Sequence, residues 1–543
     1  MIEAPNNPAR ARLESEPAAD EHGRSAWARA LGAAFVALVS TVYGGTLIAA
    51  RFGYQASADA NYHFAVAREI ARGNFRSEAA PHLPWTILSE LPVDHYFGFH
   101  LLLAPFALLP NPLWGMKLAT LLLFVAVPLS VYWLMLKCHA QAAWAWAFAP
   151  IVFANQDWRY LMMRGGNWTV LLSLAFIWVA FFVERPASRR FGIVGLGYLA
   201  TLSYQGGLVL LPLHLAGLLG GLLLCGEELA RDRWIEPAFT AFGLALGFTL
   251  NPYMTAGAAP FRFALFHIPL MNLDPAGLYP GLREFGPVPL GHLLANPEFI
   301  VAPCVVLLGV AFVVVRALRG QRPSYAQAVL LGVACLGLAL AARAIRMREY
   351  AVPWAVVFLA LLTPPLPIRP WLRRALTPVV GLCIVLLLLE KWPDSAVLMG
   401  GSLPTAEYRG AGPLLRAYRG PPVLNIAEGD YTTLRYEDLD VAAVQGLSHY
   451  FLYPNRPVFA DVTTIRESTS SVARLEALLR FYDRGVRLVT VQHRNSAYAL
   501  LQRYSGAFRP VFRSPLPESE QAVGATIYVV DRNGLSAAIA GAR

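Results

Sequence analysis

The stretch "ALGAAFVALVSTVYGGTLIAARFGYQASADANYHFAV" (residues 30–66) decides how the chain is read. Residues 30–50 carry no charge, and at about 1.5 Å of rise per residue a helix over them spans roughly 30 Å, the thickness of a hydrocarbon core. The run exceeds the roughly 7 to 15 apolar residues of a secretory leader, and a polar segment precedes it. The "ASA" at 56–58 is therefore not read as a cleavage site, and 30–50 is an uncleaved first membrane helix. Asp59, Tyr62 and His63 then stand where the chain leaves lipid.

The rest of the chain repeats this apolar pattern. With 543 residues, 56% hydrophobic, 15% charged and a mean hydropathy of +0.45, it is too apolar for an ordinary soluble globule. Lipid offers no partner to backbone N–H and C=O groups, so the spans are expected to be helices. Further spans fall near 118–136, 142–155, 168–183, 191–204, 208–225, 237–251, 299–315, 325–342, 351–368 and 375–391. Residues 98–115 are short, broken by three prolines, and read as a re-entrant or partial helix. The fold class is an α-helical polytopic membrane protein of about 11 to 13 transmembrane helices, about 11 being the count that these spans give.

Arginines set the orientation. Arg185, Arg189 and Arg190, then Arg231 and Arg233, then Arg316, Arg319 and Arg322, then Arg369, Arg373 and Arg374 mark cytoplasmic loops. Alternation puts the N-terminus inside and gathers 51–97, 155–167, 252–298, 343–350 and the tail outside. These loops account for the net charge of +10, and no nucleic-acid motif occurs, so no nucleic acid is expected as a partner. The five cysteines (Cys138, Cys225, Cys304, Cys335, Cys383) lie in or beside apolar runs without a C-x-x-C, which argues against a disulfide framework or a structural zinc site.

The chain divides into a disordered cytoplasmic segment (1–26), a multi-span domain (27–392) with outer loops at 51–97 and 252–298, and a soluble extracytoplasmic α/β domain (393–543). In that tail 422–428, 487–492 and 526–531 read as strands, and 471–485 as an amphipathic helix closed by a C-cap glycine. Strands alternating with helices predict a small, partly parallel sheet. Arginine preference and an outer soluble tail fit a bacterial inner (plasma) membrane.

The chemistry-bearing residues concentrate outside. Asp59, His63, His82, Glu90, Asp94, His95 and His100 fall within one loop and its flanks. "NYHFAVAREIARGNF" (61–75) is amphipathic at helical spacing and predicts an interfacial helix, with Tyr62, Phe64, Ala65 and Ile70 toward the lipid interface and Arg68, Glu69 and Arg72 toward water. Asp59 serves there either as a catalytic acid or base, or as the N-cap of that helix. Asp94, His95 and His100 suit either a cation site or a polar wall around a phosphate or sugar; their spacing matches no particular metal pattern. Arg343, Arg346 and Arg348 lie outside, against the positive-inside trend, and suit an anionic lipid headgroup or a snorkelling cluster paired with Glu349. Asp157, flanked by Arg159 and Arg164, is a second acid or an arginine-paired surface group. A divalent cation is the one cofactor these residues leave open.

"DANYH" (59–63), "VDHYFGFHLLLAPF" (93–106) and "RMREYAVPW" (346–354) resemble motifs of the superfamily C (GT-C) glycosyltransferases, which use polyprenyl-phosphate sugars. That family includes protein O-mannosyltransferases, aminoarabinose transferases and oligosaccharyltransferase catalytic subunits. The tail stretches "GDYTTLRY" and "ATIYVVD" are similar to the outer domain often appended to them. The resemblance implies an outward-facing, inverting sugar transfer within the bilayer, from a polyprenyl-phosphate donor to a glycan, lipid or protein acceptor. It implies Asp59 as base, with Asp94 also catalytic, and Arg346, Arg348 and Tyr350 on the donor phosphate. Tyr62, His63, His95, His100, Asp157 and Glu349 are then supporting residues. Asp157 stands where oligosaccharyltransferases keep a metal-binding acidic pair, but "QDWR" has one acid, and the tail lacks a W-W-D triplet. Two rival readings are a transporter or flippase of lipid-linked glycans and a non-enzymatic envelope assembly protein. Few ionisable residues fall within the spans, which favours surface chemistry.

Overall fold

Apolar runs that no water can solvate close their backbone bonds within themselves, and the chain accordingly becomes a succession of helices. The structure is a computed structural model that describes residues 19–49, 58–74, 82–86, 94, 96–152, 157–225, 233–251, 307–343 (save 312, 317, 321 and 322), 347–362, 370–400, 407–427, 430–445, 452, 455–514 and 524–543. The main helices of the membrane domain are α1 (Ala19–Ala49), α2 (Ala58–Ala71), α3 (Phe97–Ala107), α4 (Pro112–Lys137), α5 (Gly165–Phe182), α6 (Pro186–Ser203), α7 (Leu210–Cys225), α8 (Glu236–Thr249), α9 (Tyr325–Arg343), α10 (Arg348–Leu362) and α11 (Pro370–Gly400). Among the described residues, six stretches are long and apolar enough to cross a membrane: Ala26–Ala49, Pro112–Lys137, Gly165–Phe182, Gly206–Cys225, Tyr325–Arg343 and Ala375–Ala396.

Local chemistry sets several boundaries. Proline opens α4, α6 and α8, where its missing N–H costs nothing, and Asn111 caps α4 by accepting from the Leu113 N–H at 3.0 Å. The 98–115 segment does break: α3 is an 11-residue helix of about 16 Å, and the chain restarts at Pro112. Three expectations need correction. Helix α1 begins at Ala19, inside the segment expected to be disordered, and α11 runs on to Gly400, past the boundary set at 392. Among the described residues the span expected at 142–155 is a short apolar helical stretch, the turns Ala143–Trp146 and Ala149–Val152, starting after Ala142 at φ 50°, and 153–155 lie outside them. The outer loop expected at 252–298 lies outside the described residues.

The bundle packs α6 on α8, α7 on α9, α9 on α10, and α4 between α1 and α5. Hydrophobicity does not drive helix association in lipid, so close backbone approach and shape matter more. Gly243 and Gly247 form a Gly-x-x-x-Gly face on α8, and a Cβ at Gly243 would lie 2.9 Å from the Cα of Val194 on α6. Trp354, Phe358, Phe176 and Phe181 fill the interior, while Leu118, Leu122, Leu219, Leu223, Leu382 and Leu386 face outward, as a lipid-facing surface requires. Arg189 and Glu236, in the first turns of α6 and α8, form a buried pair at 2.7 Å.

The tail has a core of its own and a four-stranded sheet of order β1–β2–β4–β3. Its elements are β1 (Leu424–Asn425), α12 (Asp430–Glu437), α13 (Arg456–Glu467), α14 (Ser471–Asp483), β2 (Leu488–Gln492), α15 (Ser496–Arg503), β3 (Phe508–Arg513), β4 (Ala525–Val530) and α16 (Arg532–Ala542). β1 pairs parallel with β2, with Leu424 opposite Val489, while β4 runs antiparallel to both β2 and β3. Gly485 ends the helix predicted over 471–485, at φ 101°. Beyond the carboxyl ends of β1 and β2 lie two buried acids. The Gln492 amide donates to Asp430 at 2.9 Å and to Glu407 at 3.3 Å, and the Tyr408 hydroxyl donates to Asp430 at 2.8 Å. Burial, then the charge of Asp430, pushes Glu407 up to about 9, and burial pushes Asp430 up to about 6.

Two outcomes follow from this packing. Replacing Gly243 with Leu forces α6 and α8 apart, which costs about 1–3 kcal/mol and lowers the thermal midpoint in detergent, whereas Gly45→Ala, into open space, leaves it unchanged. Both raised carboxyl groups bind protons more tightly folded than unfolded, so their stabilisation is present below their unfolded values and lost as pH rises through about 6 and about 9. The tail's unfolding midpoint therefore falls between pH 5 and pH 9 in a thermal scan, and Glu407→Gln flattens the upper part of that fall.

Candidate functional site

The geometry starts at Asp94. One of its carboxylate oxygens accepts from the Tyr96 N–H at 2.9 Å, a local turn that launches α3, and the Asn251 amide ties down its carbonyl at 3.1 Å. Its other oxygen meets Nδ1 of His100 at 2.6 Å, and Nε2 of His100 lies 2.8 Å from Nδ1 of His63 on α2. All three side chains are buried, with at most 5% exposed. With Asp94 ionised, His100 presents its Nδ1–H to the carboxylate, and its Nε2 lone pair accepts from the Nδ1–H of His63. The chain of bonds thereby makes Nε2 the basic nitrogen of His63, a carboxylate–imidazole–imidazole analogue of an oriented general base.

Aromatic rings wall this chain. Tyr96 meets the His63 ring edge-on at 4.6 Å and Phe99 does so at 5.1 Å, while Tyr62 stands edge-on to both histidines. Tyr96 also stacks on Tyr204 at 5.2 Å and 12°. Burial, then the charge of Asp94, holds the Tyr62 hydroxyl well above its ordinary value, so it stays protonated and is able to donate.

A second polar cluster forms around the amino end of α10. Glu349 is 2% exposed and pairs through one oxygen with Nη1 of Arg159 at 3.3 Å, while the Tyr160 hydroxyl donates to the Glu349 carbonyl at 3.1 Å. The Asn167 amide fixes that loop through the carbonyls of Arg159 and Tyr160. The other Glu349 oxygen is a buried acceptor that meets no donor among the described residues. Adjacent glycines at the start of α5 join the clusters: a Cβ on Gly165 would lie 2.8 Å from the Tyr96 ring, and one on Gly166 would lie 3.2 Å from that Glu349 oxygen.

The residues chosen from sequence distribute as follows. Tyr62, His63, Asp94 and His100 come together. Glu349 and Tyr350 share the first turn of α10 with Arg348, and Glu349 pairs with Arg159. Asp59 and His63 occupy positions one turn apart on α2, and Asp157 opens a four-residue turn (Asp157–Tyr160), but the side chains of Asp59 and Asp157 lie outside the described residues. Arg346 and His95 lie outside them as well. Phe64, Ala65 and Ile70, expected to face lipid, are buried against protein, because α2 packs on α3 and on the tail. Tyr160, Asn167, Tyr96 and Tyr204 were not singled out, and Arg159 was named only as a flank of Asp157; "NQDWRYLMMRGGN" held three of these five, with no periodic signal to mark them. Among the described residues no three His, Cys, Asp or Glu side chains converge as metal ligands, and the polar atoms of Asp94 and His100 are already engaged with one another and with their neighbours.

No protein-family model and no curated protein matches this sequence. Solved structures do. The chain is similar to the oligosaccharyltransferase AglB from Archaeoglobus fulgidus in complex with an inhibitory peptide and a dolichol-phosphate, with a TM-score of 0.55 at 11% identity over 92% of this chain and 74% of that one. It is similar also to the mycobacterial arabinofuranosyltransferase AftD, with a TM-score of 0.52 at 15% identity, but spans only 40% of that chain while 92% of this one is covered. ArnT from Cupriavidus metallidurans aligns over 94% of this chain and 99% of that one at 13% identity and a TM-score of 0.46. The fold is that of the GT-C glycosyltransferases, helices in a membrane with a small sheet in the C-terminal region.

Arg159 and Glu349 form a pair that is costly to break on one side. Arg159→Met strands a buried carboxylate and lowers stability by about 3–5 kcal/mol, while Arg159→Met combined with Glu349→Leu recovers most of it. Thermal unfolding of the two single variants and the double variant in one detergent measures this.

Proposed function

We propose that this chain is an integral membrane glycosyltransferase that moves a hexosyl or pentosyl group from a polyprenyl-phosphate donor to an acceptor on the outer side of the membrane. The observation that carries the reading is the Asp94–His100–His63 chain, which ends one helical turn from Asp59 at the start of α2. The GT-C fold supports it, and AglB, similar in fold, is known with a dolichol-phosphate bound.

In the reaction the acceptor oxygen bonds to the anomeric carbon while the bond from that carbon to the lipid-phosphate oxygen breaks. One displacement inverts the anomeric centre. The acceptor hydroxyl's proton passes to Asp59, with His63 as the next basic group along the helix. The electron pair leaves with the lipid phosphate, whose charge Arg346 and Arg348 offset and to which the Tyr350 hydroxyl donates. Oriented imidazoles line the base side, and the arginines keep the leaving-group side electropositive. The residues described leave metal dependence open, and no step here is assigned to a cation. The membrane is the bacterial inner membrane, with the N-terminus in the cytoplasm and the tail outside.

The buried ion pairs, Arg189–Glu236 and Arg159–Glu349, lie at helix ends rather than at mid-span, which favours an enzyme over a transporter. Sugar transfer from a panel of radiolabelled polyprenyl-phosphate sugars, with purified protein in liposomes, tests the proposal. Turnover is expected in the wild type, its loss in folded Asp59→Asn, and a drop of about 10²–10⁴ in kcat for Asp94→Asn, which supplies an N–H where the imidazole needs an acceptor. Donor movement across the bilayer without transfer sinks the enzyme and leaves the transporter.

A further inference from the structure

Glu349 brings more acceptor capacity into the protein than its neighbours satisfy. Its side chain is 2% exposed, and Nη1 of Arg159 reaches one carboxylate oxygen at 3.3 Å. The other oxygen meets no donor among the described residues. Native structures pair the large majority of their buried polar atoms, and an unpaired charged one is the costliest exception, so this oxygen calls for a donor from outside the chain. Glu236 also keeps a buried oxygen without a donor, but there two Arg189 nitrogens converge on the other oxygen at 2.7 and 2.8 Å.

Gly166, the second residue of α5, faces that oxygen. Apart from its own helix and chain neighbours, a Cβ built there would meet only two described atoms within 4 Å, the Glu349 oxygen at 3.2 Å and the Tyr350 hydroxyl at 3.9 Å. Elsewhere in the bundle glycine serves close packing: at Gly220 and Gly243 a Cβ would collide with the carbonyl oxygens of Ala328 and Val194. At Gly166 the missing side chain instead leaves space in front of two side-chain oxygens. Arg159 already balances the carboxylate's charge, so the donor it lacks is a neutral O–H rather than a second cation. On the transfer reading, Arg348 and Tyr350 hold the donor phosphate from the same first turn of α10 that carries Glu349. A sugar ring bonded to that phosphate lies beside it and presents hydroxyls around its rim.

We propose that Glu349 is a specificity-determining residue of the transfer site: its open oxygen accepts one hydroxyl of the sugar carried by the lipid phosphate, in the space that Gly166 leaves. The inference rests on the transfer reading given above and deepens it, because it assigns the sugar ring a place that is separate from the grip on the phosphate. A buried acceptor built for a hydroxyl rejects a sugar that lacks it, since the oxygen then stays unpaired. Glu349 therefore selects among sugars without taking or giving a proton in the reaction.

The test measures binding and transfer by the full-length protein in nanodiscs. Its probes are bare polyprenyl phosphate, a panel of polyprenyl-phosphate sugars, and forms of the tightest-binding sugar with each hydroxyl in turn replaced by hydrogen. The wild type is expected to bind that sugar-bearing lipid about 10- to 100-fold more tightly than the bare lipid, and to lose about 10-fold when one particular hydroxyl is removed. Arg159→Met combined with Glu349→Leu removes both partners of the pair; it should bind the bare lipid within about twofold of wild type and no longer distinguish that deoxy sugar from its parent. Gly166→Ala breaks no hydrogen bond and sets a methyl group before the oxygen, so it should weaken binding of the sugar-bearing lipid alone, and it gives the answer if the double variant does not fold. The proposal is overturned by a deoxy penalty of equal size in wild type and double variant, by unchanged sugar binding in Gly166→Ala, or by a wild type that binds no sugar-bearing lipid more tightly than the bare one. Glu349 is then the partner of Arg159 only. Hydroxyl-selective binding without transfer of any sugar removes the transfer reading and keeps the sugar contact, whereas transfer without that selectivity removes the contact and keeps the reading.

Discussion

A lipid interior supplies no hydrogen-bond partner, and that constraint governs where this chain keeps its polar groups. Burying a charge unpaired costs more than a single packing contact returns, so each buried ion must bring its counter-ion along. Arg189 finds Glu236 in the first turn of a neighbouring helix, and Arg159 finds Glu349 at the amino end of α10. Asp94 finds not a cation but an imidazole, and that imidazole finds a second. The same rule thus yields two ion-pair clamps and one chain able to carry a proton.

Small residues convert this placement into a site. Gly165 and Gly166 let the start of α5 approach Tyr96 on one side and Glu349 on the other. Larger side chains there would push the imidazole cluster and the carboxylate cluster apart. The elements around them come from distant parts of the chain: α2 and α3 from the stretch after the first long apolar helix, α5 from the middle and α10 from near the end of the bundle. The tail closes the arrangement, with α12 against α2, so its boundary with the bundle lies on the helix that carries His63.

Much of this was legible in the sequence. Apolar runs of spanning length fixed the class, because length against bilayer thickness is a local property of a single run. The helix at 471–485 and the strands near 488–492 and 525–530 followed from periodicity, and its C-cap glycine from one residue's conformational freedom. Strand β3, "FRPVFR", escaped because arginines and a proline hide its alternation; it is an edge strand, where both are tolerated. The crowding of His63, Asp94 and His100 at the lipid boundary was visible too, as was Glu349 in "RMREY".

The sequence by itself therefore determined that the chain carries helices of membrane-spanning length and which polar residue types crowd into the segment after the first of them. It did not determine their partners. His63 and His100 stand 37 residues apart, and Arg159 and Glu349 stand 190 apart, so no local period relates them. Glu349 stands close in sequence to three arginines, and the structure also brings it a distant one, Arg159. Tertiary structure decided that pairing, because ion pairs and hydrogen bonds fall off within a few ångströms, and only the packing of α2, α3, α5, α10 and the tail sets which groups come that close.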